Sequence, residues 1–369
     1  MRVTQVIHWL EPGGAESLLL ELAAAAPRAD LELSVVTLAP VRDRRYVAAL
    51  GHLGVNLIEL DVSNRWDPRV LRAGVAAIRS LHPAVIHSHL KHADIVGAAA
   101  ARRLRRPLVS TLHVIEDGSG TITGVKKRLA AAARMSTAAR TIAVSEAQRQ
   151  WYLANFHPDP VRVVTIHNGV RSYPQLTADQ RMQRRAALGV PTDAVLFLQA
   201  AIMRPGKGHD DLIRAWARRG ADENAWLLLA GDGPLRPALE ELARSTSAAR
   251  ICFLGFRDDV RELMDVADVI VHPTHFDALP TSVIEAMAAE KPVVASNVGG
   301  VPELVTATEG LLVPPRDEAA LAQAITTLLR DEEMRTAMGS AARLRFTRQF
   351  DVGVWVARLR ALYDEVATP

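Results

Sequence analysis

The strongest constraint in this chain is an alternation that runs through it twice, short apolar runs each followed by a segment with helical spacing. In the first part, Val3–Trp9, Leu33–Leu38, Asn56–Glu59, Ala84–His87, Leu108–Leu112, Thr141–Val144 and Val161–Ile166 read as strands. Between them, Ala15–Ala25, Arg44–Leu53, Pro68–Leu81, Ala93–Leu104, Val125–Thr137 and Glu146–Asn155 read as helices. The second part repeats the pattern, with strands at Val195–Ala200, Trp226–Ala230, Ile251–Leu254, Asp268–His272, Pro292–Ala295 and Leu311–Val313. Strands that are apolar throughout are buried on both faces, which means parallel sheets covered by helices. The expected fold is therefore α/β, with two Rossmann-like domains whose strand ends face one cleft.

Length agrees, because 369 residues exceed what one core usually supports. Asn168, Gly169 and Pro174 interrupt regular structure, so the expected domains are 1–175 and 176–351. A last helix, about 352–369, carries Trp355, Leu359 and Leu362 on one stripe and is a candidate to pack back on the first domain.

Composition narrows the setting. The single cysteine, Cys252, excludes an internal disulfide and a thiolate zinc site. The opening Met1–Leu10 reads as a first strand, broken by Glu11 and Pro12 before a leader's apolar core could form. No run is apolar enough to span a bilayer. A cytoplasmic protein follows, with any membrane contact peripheral and at the inner face. The net charge of +3 is divided unevenly, with 22 basic against 14 acidic residues up to position 175 and 22 against 27 beyond it. The segment Val125–Thr137 adds Lys126, Lys127, Arg128 and Arg134 on an alanine-rich helix, which suits either an anionic membrane surface or plain solvent exposure. Nothing points to nucleic acid.

The chemistry should lie on the turns that leave strands. Gly13 and Gly14 follow the first strand and open a helix, where backbone amides can meet a phosphate or simply make a turn. Lys207 lies between Gly206 and Gly208 past strand Val195–Ala200. There its amine can neutralise a diphosphate or face water. Strand Asp268–His272 runs into a loop holding Asp277, then Leu279, Pro280 and Thr281 at a helix start, with Glu285 one turn on. Amides at that helix start can hold phosphate oxygens, and Glu285 can accept from ribose hydroxyls. Asp277 equally suits a turn or cap, and Glu285 a surface position.

These pieces recur as an ordered set. They are Gly13-Gly14-Ala15-Glu16, His87-Ser88-His89, Ser145-Glu146, His167-Asn168-Gly169-Val170 and Lys207-Gly208, then Gly231-Asp232-Gly233-Pro234, Asp277 to Ala288, and Gly299 to Glu303. In order and spacing, over almost the whole chain, the sequence resembles the retaining GT-B glycosyltransferases of family 4. The resemblance implies a metal-independent transfer of a hexosyl or N-acetylhexosaminyl group from a nucleotide-diphosphate sugar. The sugar donor is a co-substrate, with UDP slightly preferred as its nucleotide, and no cofactor is implied. The acceptor is a glycan, a lipid-linked species or a small molecule. It further implies Gly14 at the donor phosphates, His113 at the donor sugar, Lys207 on the diphosphate, Asp277 on the sugar, Gly255 beside the base and Glu285 on ribose.

Three departures stand out. Ala201, Ile202 and Met203 replace the family's Gly-Arg-Leu, removing an arginine for which Arg204, of the same strand parity as Ile202, is a substitute. Asp277 stands where glutamate is usual, and Ala278 where glycine is usual. A non-catalytic nucleotide-sugar binder and a GT-B sugar-nucleotide epimerase share enough of the pattern to be alternatives. A nicotinamide oxidoreductase lacks its glycine fingerprint here.

Overall fold

A computed structural model describes residues 1–11, 13–60, 68–115, 121–218 and 224–368, with side chains at all of these except 68, 91 and 121–128. The chain divides into two units, Met1–Gly169 with Val352–Pro369, and Val170–Asp351.

The first unit is built on β1 (Arg2–Ile7), β2 (Glu32–Thr37), β3 (Asn56–Glu59), β4 (Val85–His89), β5 (Leu108–Leu112), β6 (Ala138–Ala143) and β7 (Val163–Thr165). They pair in parallel in the order β3-β2-β1-β4-β5-β6-β7. The helices α1 (Gly14–Ala25), α2 (Arg44–His52), α3 (Pro68–Ser80), α4 (Leu90–Leu104), α5 (Thr121–Thr137) and α6 (Glu146–Phe156) connect them. Strand order reverses between β1 and β4. Chains leaving these two strands diverge to opposite faces, which opens a crevice at their carboxyl ends.

Every residue of β4 and β5 is buried. On one face Val3, Ile7, Val35, Val85 and Val109 pack with α1 and with the last helix, Val352–Ala367. That helix contributes Trp355, Leu359, Leu362 and Tyr363, spaced by three and four residues along one stripe.

The second unit carries β8 (Val195–Ala200), β9 (Ala225–Ala230), β10 (Ile251–Gly255), β11 (Val269–His272), β12 (Val293–Ser296) and β13 (Gly310–Val313). Their order is β10-β9-β8-β11-β12-β13, again parallel, with the reversal between β8 and β11. Its helices are α7 (Ala178–Ala187), α8 (His209–Arg218), α9 (Arg236–Ser245), α10 (Val260–Val266), α11 (Thr281–Ala288), α12 (Val301–Leu304), α13 (Glu318–Arg330) and α14 (Glu332–Gln349), and the last helix of the first unit is α15. Thr177 and Gln180 form a reciprocal capping box at the start of α7.

Two positions differ from the sequence expectation. Helix α5 begins at Thr121 and runs through Gly124, although a mid-helix glycine costs about 1 kcal/mol against alanine. Arg134 does not project to solvent. It is 6% exposed, and its guanidinium lies 2.5 Å from Asp94, with Ser110 at 3.0 Å. The other cations expected on that face, Lys126, Lys127 and Arg128, lie outside the described side chains. Among the described residues no helix is long and apolar enough to cross a membrane.

Candidate active site

In the second unit the turns leaving β8 and β11 are one hydrogen-bonded assembly. Gly206 and Gly208 have φ of 86° and 67°, a region that glycine enters without strain. A Cβ on Gly208 would lie 1.9 Å from the Pro273 carbonyl oxygen, so only glycine lets the lysine turn press on the neighbouring loop. His275 N and Thr274 Oγ1 donate to the Gly206 carbonyl at 2.9 and 3.0 Å, and Gln199 Nε2 donates to that of Lys207 at 2.9 Å. The third loop joins through Gly231 and Gly233, where a Cβ would strike the carbonyls of Ala201 and Met203 at 2.0 and 2.5 Å.

Lys207 Nζ donates to Asp277 Oδ2 at 2.6 Å, and both side chains are mostly buried. His272 Nε2 lies 3.4 Å from the same oxygen and has no aligned hydrogen bond. Burial alone would raise the Asp277 carboxyl, but His272 and the Lys207 charge outweigh it and hold the group well below the usual carboxylate range. Asp277 is thus an anion at any working pH. Lys207 keeps two N–H donors beyond the one on Asp277.

The remaining candidates of this unit surround the same strand ends. Leu279 is buried, Pro280 occupies the N-cap of α11, and Thr281 opens the helix. Val283 and Ile284 amides bond the Pro280 carbonyl, whereas the amides of Thr281 and Ser282 precede the first intrahelical acceptor. Glu285 is half-buried on the next turn. Its charge, with that of Asp265, adds to burial in raising the Tyr173 phenol. Gly255 ends β10 at φ 68° and accepts from Gly231 N at 2.8 Å. Arg204 and Ile202 are both exposed on either side of fully buried Met203. This stretch lies past the end of β8 and is a turn, so strand parity does not govern where Arg204 points. Its carbonyl, rather than its guanidinium, meets Lys207, at an N–O distance of 3.4 Å.

Asp210, Asp211 and His275 bring ligand-type atoms within 4.8 Å of one another. Asp211 already pairs with His275 at 2.6 Å, and Asp210 is exposed.

The first unit holds Gly14 and His113. Gly14 is the first residue of α1, after Gly13 in extended conformation at φ −171°. The Gly14 amide has no intrahelical acceptor. Glu16 beside it is buried, and burial pushes its carboxyl up to about 7, with Glu11 adding repulsion.

His113 follows β5 and belongs to a chain of polar groups that the sequence reading did not assign. His113 Nε2 lies 2.9 Å from His89 Nδ1, and His89 Nε2 lies 2.7 Å from Gln5 Oε1. In parallel, His87 bridges Tyr363 at 2.6 Å and Thr111 at 2.7 Å. Burial lowers all three histidines, His113 to about 4 and His87 to about 3, so the chain is neutral. One signal was available in the sequence, since His87 and His89 are two apart on a strand and share a face. Their partners on β1, β5 and α15 carried no such mark.

Comparison with known proteins decides the family. Residues 180–345 match glycosyl transferases group 1, and residues 12–172 match glycosyltransferase family 4. A glycogen synthase of Mycobacterium tuberculosis is 30% identical over 83% of this chain and 72% of that protein. The chain belongs to the family 4 (group 1) glycosyltransferases. A D-inositol 3-phosphate glycosyltransferase of Kineococcus radiotolerans is 28% identical over 91% of this chain and 86% of that protein. The crystal structure of Anabaena HepE in complex with UDP-glucose matches with a TM-score of 0.87 at 25% identity, over 99% of each chain. Two Rossmann-like parallel-sheet units in one glycosyltransferase chain are the architecture called GT-B.

Proposed function

We propose that this glycosyltransferase moves a hexosyl or N-acetylhexosaminyl group from a UDP-sugar to an acceptor hydroxyl, with retention and without a metal. The observation that carries the reading is the Lys207–Asp277 pair at 2.6 Å, on turns at the reversal point of the second sheet. Lys207 and the first amides of α11 would hold the diphosphate, and Arg204 stands near enough in sequence to add a cation. Asp277 would take a hydroxyl of the sugar, Glu285 the ribose hydroxyls, and the backbone at Gly255 the base. Fixed donors of this kind stabilise a leaving diphosphate without reorganising. In the first unit, Gly14 would offer its amide to the phosphates and His113 would contact the sugar.

In the transfer, the acceptor oxygen bonds to the anomeric carbon as the bond from that carbon to the diphosphate breaks. The hydroxyl proton passes to the departing phosphate oxygen, and UDP leaves. HepE bound to UDP-glucose at 25% identity supports UDP-glucose as the first donor to try. Arg134, one of the cations expected on a membrane-facing α5, is turned inward to Asp94 and is not available to such a surface.

A panel of UDP- and GDP-sugars scored by protection against thermal unfolding identifies the donor. Product NMR then reads the anomeric configuration, and EDTA reads the metal requirement. Inversion at the anomeric carbon, or activity lost with EDTA and restored by a divalent cation, would overturn those parts. Donor protection without any turnover across a broad acceptor panel would favour a non-catalytic binder.

A further inference from the structure

His272 ends β11 and is 4% exposed. Each of its ring nitrogens faces an oxygen. Nδ1 lies 3.4 Å from Ser282 Oγ, on the first turn of α11, and Nε2 lies 3.4 Å from Asp277 Oδ2. The Asp277 carboxylate can only accept, whereas a hydroxyl oxygen can accept or donate. A neutral imidazole donates from one nitrogen, and an imidazolium donates from both at once. The two contacts are longer than an ordinary N–H···O bond, and Nε2 is buried without an aligned partner. The ring is in place but not engaged.

Charge decides when it engages. Lys207 is already paired with Asp277 at 2.6 Å, so these two charges balance before any ligand arrives. A diphosphate would bring further negative charge to the same turns. Among the described residues, the charged groups that act on Asp277 are Lys207 and His272. His209, the first residue of α8, is coupled electrostatically to both Lys207 and His272. Burial brings His209 down to about 4, so it stays neutral. Of the groups gathered here, Lys207, His209, Asp277 and Ser282 with His272, only His272 can add a positive charge near neutral pH.

We propose that His272 is a positioning residue of the donor site, taking up a proton from solvent when a nucleotide diphosphate binds. The imidazolium then donates from Nε2 to Asp277 and from Nδ1 to Ser282. Asp277 is held without relying on its lysine, and Lys207 turns its charge to the phosphates. The Ser282 hydroxyl, now accepting from the ring, keeps its own proton for a phosphate oxygen. The inference rests on the donor reading of Lys207 given above. Its sign follows from charge. A bound anion favours the charged ring, so donor affinity is highest at low pH and falls as rising pH removes the proton.

Calorimetry on the full chain tests this with UDP-glucose, or with whichever nucleotide sugar protects best against unfolding. A diphosphate esterified at both ends does not itself titrate near neutral pH. Runs at pH 7 in two buffers of different ionisation enthalpy therefore read the proton taken up by the protein. Wild type should take up a fraction of one proton per donor bound. Its affinity should fall about tenfold between pH 6 and 8.5, the equivalent of one pKa unit. His272→Gln keeps a neutral donor and should lose both the uptake and the pH dependence, so that the two proteins converge at pH 8.5. Nitrogen-15 NMR of wild type supplies the reading if that variant does not fold, with both His272 nitrogens protonated in the complex at pH 7. Uptake that persists in His272→Gln would place the proton elsewhere, with Glu16 at about 7 the other candidate, and would overturn the proposal. Donor binding with no uptake and an unchanged ring would also overturn it, while leaving the donor reading intact. Failure of every nucleotide sugar to bind would sink the donor reading as well.

Discussion

Lys207 Nζ and Asp277 Oδ2 lie 2.6 Å apart although 70 residues separate them in sequence. The contact spans the β8–β11 reversal, so each partner arrives on the turn that leaves its own strand. A lysine on a glycine-bounded turn packs against little, so from sequence alone its removal is expected to cripple transfer and leave the fold intact. The pair changes the second half of that expectation. Truncating Lys207 leaves a mostly buried carboxylate whose remaining ion-pair partner among the described residues is His272, and an unpaired buried charge is costly.

Lys207→Ala should therefore reduce kcat by about a hundred- to a thousandfold and also destabilise the protein by about 2–3 kcal/mol. Asp277→Asn should restore part of that stability in the double variant, because it removes the stranded charge. Chemical denaturation of the two single variants and the double variant measures the coupling. Additive losses would show that the contact contributes nothing to stability.

Glu16 gives a pH dependence with a definite sign. Its folded pKa, about 7, lies above the ordinary value of 4.5. The folded state thus holds the proton more tightly, and the associated stability is complete below about pH 4.5 and lost as pH rises through 7. A shift of that size corresponds to at most about 3 kcal/mol. Glu16→Gln should be more stable than wild type at pH 8 and match it near pH 4. Denaturation midpoints at the two pH values check this, and an equal difference at both would remove Glu16 as the titrating group.

Glu285 should act through binding. Ribose contacts change little during transfer, so Glu285→Gln should raise the donor KM more than it lowers kcat. Steady-state kinetics over a donor series separates the two. A normal KM with turnover abolished would put Glu285 at the reacting centre instead.

The strands were legible because each is short, rich in apolar or β-branched residues and bounded by turn residues, as Leu108–Leu112 illustrates. The glycine-flanked Lys207 and the Asp277–Glu285 spacing were legible because turns at strand ends have local signatures. What escaped was polar and long-range. Arg134 has the spacing of a surface charge on an alanine-rich helix, and only Asp94 on α4 explains its burial. His272 reads as the last residue of a strand, and nothing local announces its approach to Asp277. The Tyr363–His87 bond joins residues 276 apart in sequence, beyond any periodicity.

The chain from Gln5 through His89 to His113 leads to the last prediction. With Gln5 Oε1 at 2.7 Å, His89 must carry its proton on Nε2, since a carbonyl oxygen only accepts. His89 Nδ1 is then a lone pair, and at 2.9 Å it accepts from His113 Nε2–H. His113 is left with an unprotonated Nδ1, able to accept from a sugar hydroxyl but not to donate. Neutral rings follow from burial, which brings His113 down to about 4. Nitrogen-15 NMR should report His113 as the Nε2–H tautomer with no titration between pH 6 and 8. The reversed Gln5 amide would invert both tautomers, and the spectrum distinguishes the two directly. His89→Phe removes the acceptor that fixes the ring, so kcat should fall by roughly tenfold, a little over 1 kcal/mol, with the donor KM little changed. Gln5→Glu keeps an acceptor at the same place and should retain the His113 tautomer. A His113 signal unaltered by His89→Phe would mean that the ring is held by its packing and not by this chain.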